Sequence, residues 1–183
     1  MIPPVYVLNK GEEMGFNRSL KITSLIFLIF FLPFHGCNKK ADTRQAAPEF
    51  SLRDLSGKEV SLRQYKGRIV LLDFWATWCP PCRQSIPELV ELQERYQSKE
   101  VVIIGISLDD PMQFTTEYLS AFKEKFKINY KILRGNQKVA RDYFGTDNMA
   151  IPTMFVINRD GKIVQKHVGF MPGAVEKSIK GLL

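Results

Sequence analysis

The feature that most constrains this chain is a change of hydrophobic period in its middle. Within residues 68–74, Ile69, Val70, Leu71, Leu72 and Phe74 form a nearly continuous apolar run, the pattern of a central strand covered on both faces. After a short connection carrying Cys79, Pro80, Pro81 and Cys82, residues 80–97 switch to helical spacing. Ile86, Leu89, Val90 and Leu92 share one stripe, and Glu91, Glu94 and Arg95 fall largely outside it. Pro87 removes one amide donor and is expected to kink that helix. A buried strand that feeds a helix through two cysteines three positions apart leaves few architectures open.

The rest of the chain from Glu49 onward reads as one α/β domain. Residues 50–52 and 60–62 are expected as short strands around a turn at Ser56 and Gly57. Residues 101–107 read as a second buried strand. Residues 111–127 read as a helix whose aromatic stripe, Phe114, Tyr118, Phe122 and Phe126, is assigned to the core. A short strand at 130–133 and a short helix at 137–144 follow. Residues 153–157 and 163–168 flank Asp160 and Gly161, a hairpin signal, and a helix over 174–183 closes the chain. Alternating strands and helices predict parallel pairing, the terminal hairpin antiparallel pairing, and the result is a mixed sheet with helices on both faces.

The N-terminus reads as an address. Arg18 and Lys21 precede an apolar stretch over residues 22–34, shorter than the roughly 20 residues that span a bilayer core. A positive segment followed by a short apolar one is the pattern of a secretory signal, with Met14 a candidate true start. Residues 1–36 are therefore assigned as leader. The odd third cysteine, Cys37, follows His35 and Gly36 in a segment that resembles a bacterial lipoprotein cleavage box, and it is assigned as the lipidated residue. Residues 37–47 then serve as a tether, and 48–183 as the domain. The net charge of +7 suits an anionic lipid surface. Nucleic-acid binding is set aside because Lys and Arg are scattered, with no long basic stripe.

Cys79 and Cys82 carry the chemistry. At a strand-to-helix junction Cys79 is expected at the helix start, its sulfur reachable from solvent, with Cys82 one turn inside. Positions three apart share a helical face, so the sulfurs can meet. The positive end of the helix favours an anion, which raises the population of nucleophilic thiolate. Cys79 is thus the attacker and Cys82 the resolving thiol. Pro80 and Pro81 supply no backbone N–H, so the thiolate loses two donors and the pair is expected to act as a reductant. Rival chemistries fit less well. Zinc normally needs four protein ligands, and only His167 joins the two cysteines after the leader. Covalent haem attachment needs His after the second cysteine, where Arg83 stands. Nothing links His167 to Cys79 as a protease base, and His167 is read as a hairpin surface residue. A disulfide closing so small a loop stabilises little.

Phe74, Trp75, Ala76, Thr77 and Trp78 ahead of the cysteine pair, with Ile86, Pro87, Glu88 and Leu89 after it, resemble the active-site segment of the TlpA/ResA-like redoxins of the thioredoxin superfamily, within the AhpC/TSA type. Residues 48–52 with Asp54 and Gly57 resemble the family's leading hairpin, and residues 151–158 with Asp160 and Gly161 its later loop and hairpin. The resemblance implies a thioredoxin-like fold with an N-terminal β-hairpin extension. It implies a cis Pro152 beside the cysteines, with Ile151 offering its backbone to substrate. It also implies a proton-transfer role for Asp73, whose buried carboxyl should have a raised pKa and could take the Cys82 proton. Trp78, Pro80 and Pro81 join Ile151 and Pro152 as the substrate-docking set, and core packing is the stronger reading for Trp75. Where some members place a glutamate at the end of the next strand, this chain has Leu108 followed by Asp109 and Asp110, and no role is carried over.

The expected activity is that of a monomeric, membrane-anchored, extracytoplasmic protein-disulfide reductase of the bacterial cell envelope. It uses no cofactor beyond the Cys79–Cys82 disulfide and no metal. Its expected partners are exported thiol proteins, apocytochrome c among the family's candidates, and a membrane thiol protein as electron donor. A net oxidant or isomerase, and a lipid-anchored binding factor without turnover, are the competing readings.

Overall fold

The computed structural model describes residues 44–146 and 149–183, so the leader, Met14, Cys37 and the first part of the tether lie outside the described residues. The elements run β1 (Ser51–Arg53), β2 (Glu59–Ser61), β3 (Ile69–Trp75), α1 (Pro80–Tyr96), β4 (Val101–Ser107), α2 (Thr116–Lys125), β5 (Lys131–Arg134), α3 (Gln137–Phe144), β6 (Thr153–Ile157), β7 (Ile163–Val168) and α4 (Ala174–Lys180). Five strands form a sheet in the order β5-β4-β3-β6-β7, and β1 and β2 form a separate hairpin. β3, β4 and β5 are parallel, whereas β6 and β7 are antiparallel to their neighbours. This is the mixed sheet and leading hairpin that the sequence predicts.

Every residue of β3 is buried, because its two faces meet two cores. Ile69, Leu71 and Trp75 pack with Ile86, Leu89 and Leu92 of α1, Phe122 of α2 and Ile179 of α4. Val70, Leu72 and Phe74 pack with Val139, Tyr143 and Phe144 of α3 and with Leu52 and Val60 of the hairpin. The period of two along a strand sorts these side chains. α1 continues through Pro87 as one helix. Of the expected tether, residues 45–47 pair with the β6–β7 turn: the Ile163 N–H donates to Gln45 O at 2.9 Å, and the Ala47 N–H to Gly161 O at 2.9 Å.

Three expectations change. α2 begins at Thr116 rather than Pro111, because Thr115 caps it by accepting from the Tyr118 N–H at 3.3 Å, and the chain ahead of it turns around Asp110. The aromatic stripe is only partly core: Phe122 is buried and stacks on Phe126 at 4.3 Å, while Tyr118 is exposed. Phe114 lies ahead of the helix start, and within α2 a spacing of four drifts about 40° per step on a helix of 3.6 residues per turn, so Tyr118 turns outward where Phe122 faces in. Finally, His167 is buried rather than on the hairpin surface, its Nε2 3.0 Å from Ser178 Oγ of α4. Burial holds its pKa below the ordinary histidine value.

Candidate active site

The end of β3 delivers the two cysteines. Ala76 accepts the Cys79 N–H at 3.2 Å and turns the chain, and Cys79 becomes the N-cap of α1 with extended backbone. Pro80 and Pro81 occupy the first two helical positions, where a missing N–H costs least and a fixed φ is already helical. Cys79 and Cys82 are joined as a disulfide, with S–S 2.08 Å and Cα atoms 5.3 Å apart. The Cys82 N–H donates to Cys79 Sγ at 3.3 Å. The outer sulfur is thus the capping acceptor of its own helix, the place where an anion is favoured.

The cis bond between Ile151 and Pro152 places a second segment against the pair, with Ile151 O 3.7 Å from Cys79 Sγ. That segment is fixed on both sides: the Gly169 N–H donates to Pro152 O at 2.8 Å, and Thr153 Oγ1 donates to Ala150 O at 2.7 Å. Trp78 is 57% exposed and Pro80 is exposed, while Pro81 and Ile151 are partly covered. Cys79 itself is 3% exposed, more covered than the sequence suggested. The docking residues named from sequence therefore fall on Cys79 from two directions, the helix start and the cis-proline loop, and they leave Trp78 as the protruding apolar group.

On the face of β3 that α1 covers, the face of Trp75, lies Asp73, 1% exposed. Burial, which penalises the charged form, pushes its carboxyl pKa up from 3.8 to about 7. A carboxyl titrating near neutrality can exchange a proton with a thiol under working conditions.

The sequence did not reveal Asp109. Its Oδ1 accepts from the Thr77 N–H at 3.1 Å and from Thr77 Oγ1 at 2.8 Å, and its Oδ2 accepts from Ser107 Oγ at 2.9 Å. This buried carboxylate ties the end of β4 to the turn just before Cys79. The two sites are far apart in sequence, and no spacing rule connects them. Their one sequence signal is that both directly follow buried strands at the same end of the parallel pair. Among the described residues, no three His, Cys, Asp or Glu side chains cluster as metal ligands.

A family model described as the AhpC/TSA family matches residues 43–166. The chain is 36% identical over 127 residues to the thioredoxin-like protein YneN of Bacillus subtilis, covering 69% of this chain and 72% of that protein. It is 33% identical over 136 residues to the thiol-disulfide oxidoreductase ResA of Bacillus cereus, covering 74% and 75% respectively. Among solved structures, a thiol:disulfide interchange protein of the thioredoxin family from Chlorobium tepidum matches with a TM-score of 0.68 at 28% identity, over 76% of this chain and 96% of that one.

Proposed function

The chain belongs to the AhpC/TSA family and is a thiol–disulfide oxidoreductase with a thioredoxin-like fold, and from this premise we propose that it works outside the cytoplasm as a membrane-anchored, monomeric reductant of disulfides in exported proteins. The observation that carries the mechanism is the capping contact, the Cys82 N–H on Cys79 Sγ. In the reduced enzyme that donor and the helix terminus stabilise a Cys79 thiolate. The thiolate attacks one sulfur of a substrate disulfide; that S–S bond breaks, a Cys79–substrate disulfide forms, and the other substrate sulfur leaves as a thiolate. Asp73 takes the Cys82 proton. The Cys82 thiolate then attacks Cys79 Sγ, closing the Cys79–Cys82 disulfide and releasing the second substrate thiol. Two electrons pass from enzyme to substrate, and a membrane thiol protein restores them by the same exchange.

Direction follows from what Pro80 and Pro81 withhold. With no N–H at either position, the thiolate is stabilised less than at a fully donating helix start, which weakens the drive toward the reduced form and favours giving electrons away. Trp78, Pro80, Pro81, Ile151 and Pro152 form the docking surface, and Ile151 pairs its backbone with an extended substrate segment. Substrates with two closely spaced cysteines, as in apocytochrome c, suit one exchange per encounter. Cys37 carries the lipid anchor.

The test is trapping in the native cell. Cys82→Ser should accumulate mixed disulfides through Cys79, while Cys79→Ser should give none. Absence of any Cys79-linked adduct in Cys82→Ser cells overturns the exchange mechanism. A reduction potential as high as those of strong periplasmic oxidants overturns the reductant assignment alone, and failure of Cys37 to take up a labelled fatty acid removes the anchor.

A further inference from the structure

Asp73 Oδ1, Trp75 Nε1 and the Tyr130 hydroxyl are buried with no hydrogen-bond partner among the described residues. Buried polar groups in folded proteins are nearly all paired, so three on one face of one sheet need a physical reason. The sheet register brings them together. One row across it reads His167, Met154, Asp73, Gly105 and Ile132, on the face covered by α1. Gly105 is the gap in that row. A Cβ there would stand 2.8 Å from Trp75 Nε1 and 3.3 Å from Tyr130 Cε2. The missing side chain lets the indole N–H and the phenol ring close over the position beside Asp73. Two of the three atoms are donors and the third is a carboxylate oxygen, which is the composition that solvates a carboxylate charge.

We infer that Tyr130 and Trp75 are positioning residues for proton exchange at Asp73, donating to its carboxylate when it ionises and so keeping it available as the base for Cys82. The inference rests on the exchange mechanism above. In the step concerned, the proton leaves Cys82 Sγ and bonds to an Asp73 oxygen, giving a thiolate and a neutral acid with no change in electron count. The groups around Asp73 are compatible with this role. α1 packs on this face and carries Cys82, Gly105 of β4 is the register neighbour of Asp73 on one side, and Met154 of β6 is its neighbour on the other. His167 of β7 stands one strand further on and is turned to Ser178. The segment before β5 contributes Tyr130. Burial, with the Asp73 charge adding to it, pushes the Tyr130 phenol well above its ordinary pKa, so it remains a donor. Burial alone raises the Asp73 carboxyl, and donation from Tyr130 and Trp75 on ionisation would act against that rise.

The experiment is a carbon-13 NMR titration of the Asp73 carboxyl in the purified disulfide form, for the wild type, Tyr130→Phe and Gly105→Ala. It is paired with the pH profile of mixed-disulfide resolution by Cys82. Tyr130→Phe should move the Asp73 midpoint upward by on the order of one pH unit, the size expected when a donor to a buried carboxylate is lost. The resolution profile should move the same way, while the alkylation rate of Cys79 in the reduced enzyme stays unchanged. Gly105→Ala, whose Cβ displaces both donors, should shift the midpoint in the same direction and serves if Tyr130→Phe does not fold. An unmoved midpoint overturns the inference, as does a moved midpoint with an unmoved resolution profile. Trapping by Cys82→Ser separates the two levels: if trapping succeeds while the midpoint stays put, only the positioning role falls, and if trapping fails, the exchange mechanism falls whatever the titration shows.

Discussion

The Asp109 carboxylate holds Thr77 twice, through the backbone N–H at 3.1 Å and through the hydroxyl at 2.8 Å, across 32 residues of sequence. Both residues are buried. Asp109→Ala leaves a buried N–H and a hydroxyl unpaired two residues before Cys79. It should lower stability by about 1–3 kcal/mol, the penalty for stranding buried donors. Urea denaturation measures this, and Asp109→Asn, which keeps an acceptor, should lose less. The same variants should exchange disulfides more slowly, because the turn that aims Cys79 is no longer fixed. An unchanged urea midpoint in Asp109→Ala would show that the turn is held by other contacts.

The two prolines make a second claim measurable. With Cys79 as N-cap and Cys82 at the third helical position, one N–H reaches Cys79 Sγ. Pro81→Ala restores a donor at the second position, where caps also draw hydrogen bonds. The Cys79 thiol of the reduced enzyme should then titrate lower, and the reduction potential should rise by on the order of 30 mV, equivalent to about 1.4 kcal/mol for a two-electron couple. Thiolate absorbance and equilibration with glutathione read the two quantities. A potential that falls would reverse the argument that the prolines make this pair a reductant.

Asp73 fixes the sign of a pH effect on stability. Its folded pKa, about 7, lies above the ordinary carboxyl value of 3.8. A group raised on folding contributes stability that is present below the unfolded pKa and is lost as pH rises through the folded one. The penalty of the buried charge is therefore complete above about pH 7 and absent below about pH 4. Asp73→Asn, which never charges, should be more stable relative to wild type at pH 8 than at pH 5, by on the order of 3 kcal/mol. Denaturation at the two pH values gives the comparison, and an equal difference at both would mean that Asp73 does not titrate in this range.

The elements that match their predicted bounds are those set by local pattern. The bounds of β4, α3, β6 and β7 coincide with the predicted segments because apolar runs, an Asn cap and a Gly-containing turn are all local signals. His167 was misplaced because only the packing of α4 onto β7 buries it, and that packing joins residues that no period relates. The site divides the same way. Cys79 and Cys82 are legible from their spacing and the cis Pro152 only through the family resemblance, whereas Thr77 with Asp109, and Gly105 with Tyr130, depend on which strands become neighbours. Asp73 falls between, its burial readable from the apolar run around it and the lack of a hydrogen-bond partner for Oδ1 among the described residues only from the packed core.

The two tryptophans flanking this junction should separate docking from folding. Trp75 is fully buried, with its ring 5.5 Å from that of Phe122, so Trp75→Ala opens a cavity in the core behind the disulfide. It should cost about 3–5 kcal/mol of stability, as large-to-small aromatic truncations do. Trp78 is 57% exposed, so its truncation removes little that the fold relies on, and stability should change by no more than about 0.5 kcal/mol. If Trp78 is where a protein substrate seats its apolar side chains, Trp78→Ala should raise KM for a protein disulfide several-fold. Turnover of a small disulfide too short to reach it should stay unchanged. Equal losses on both substrates would place Trp78 in the chemistry at Cys79 rather than in docking, and unchanged kinetics on both would remove it from the site.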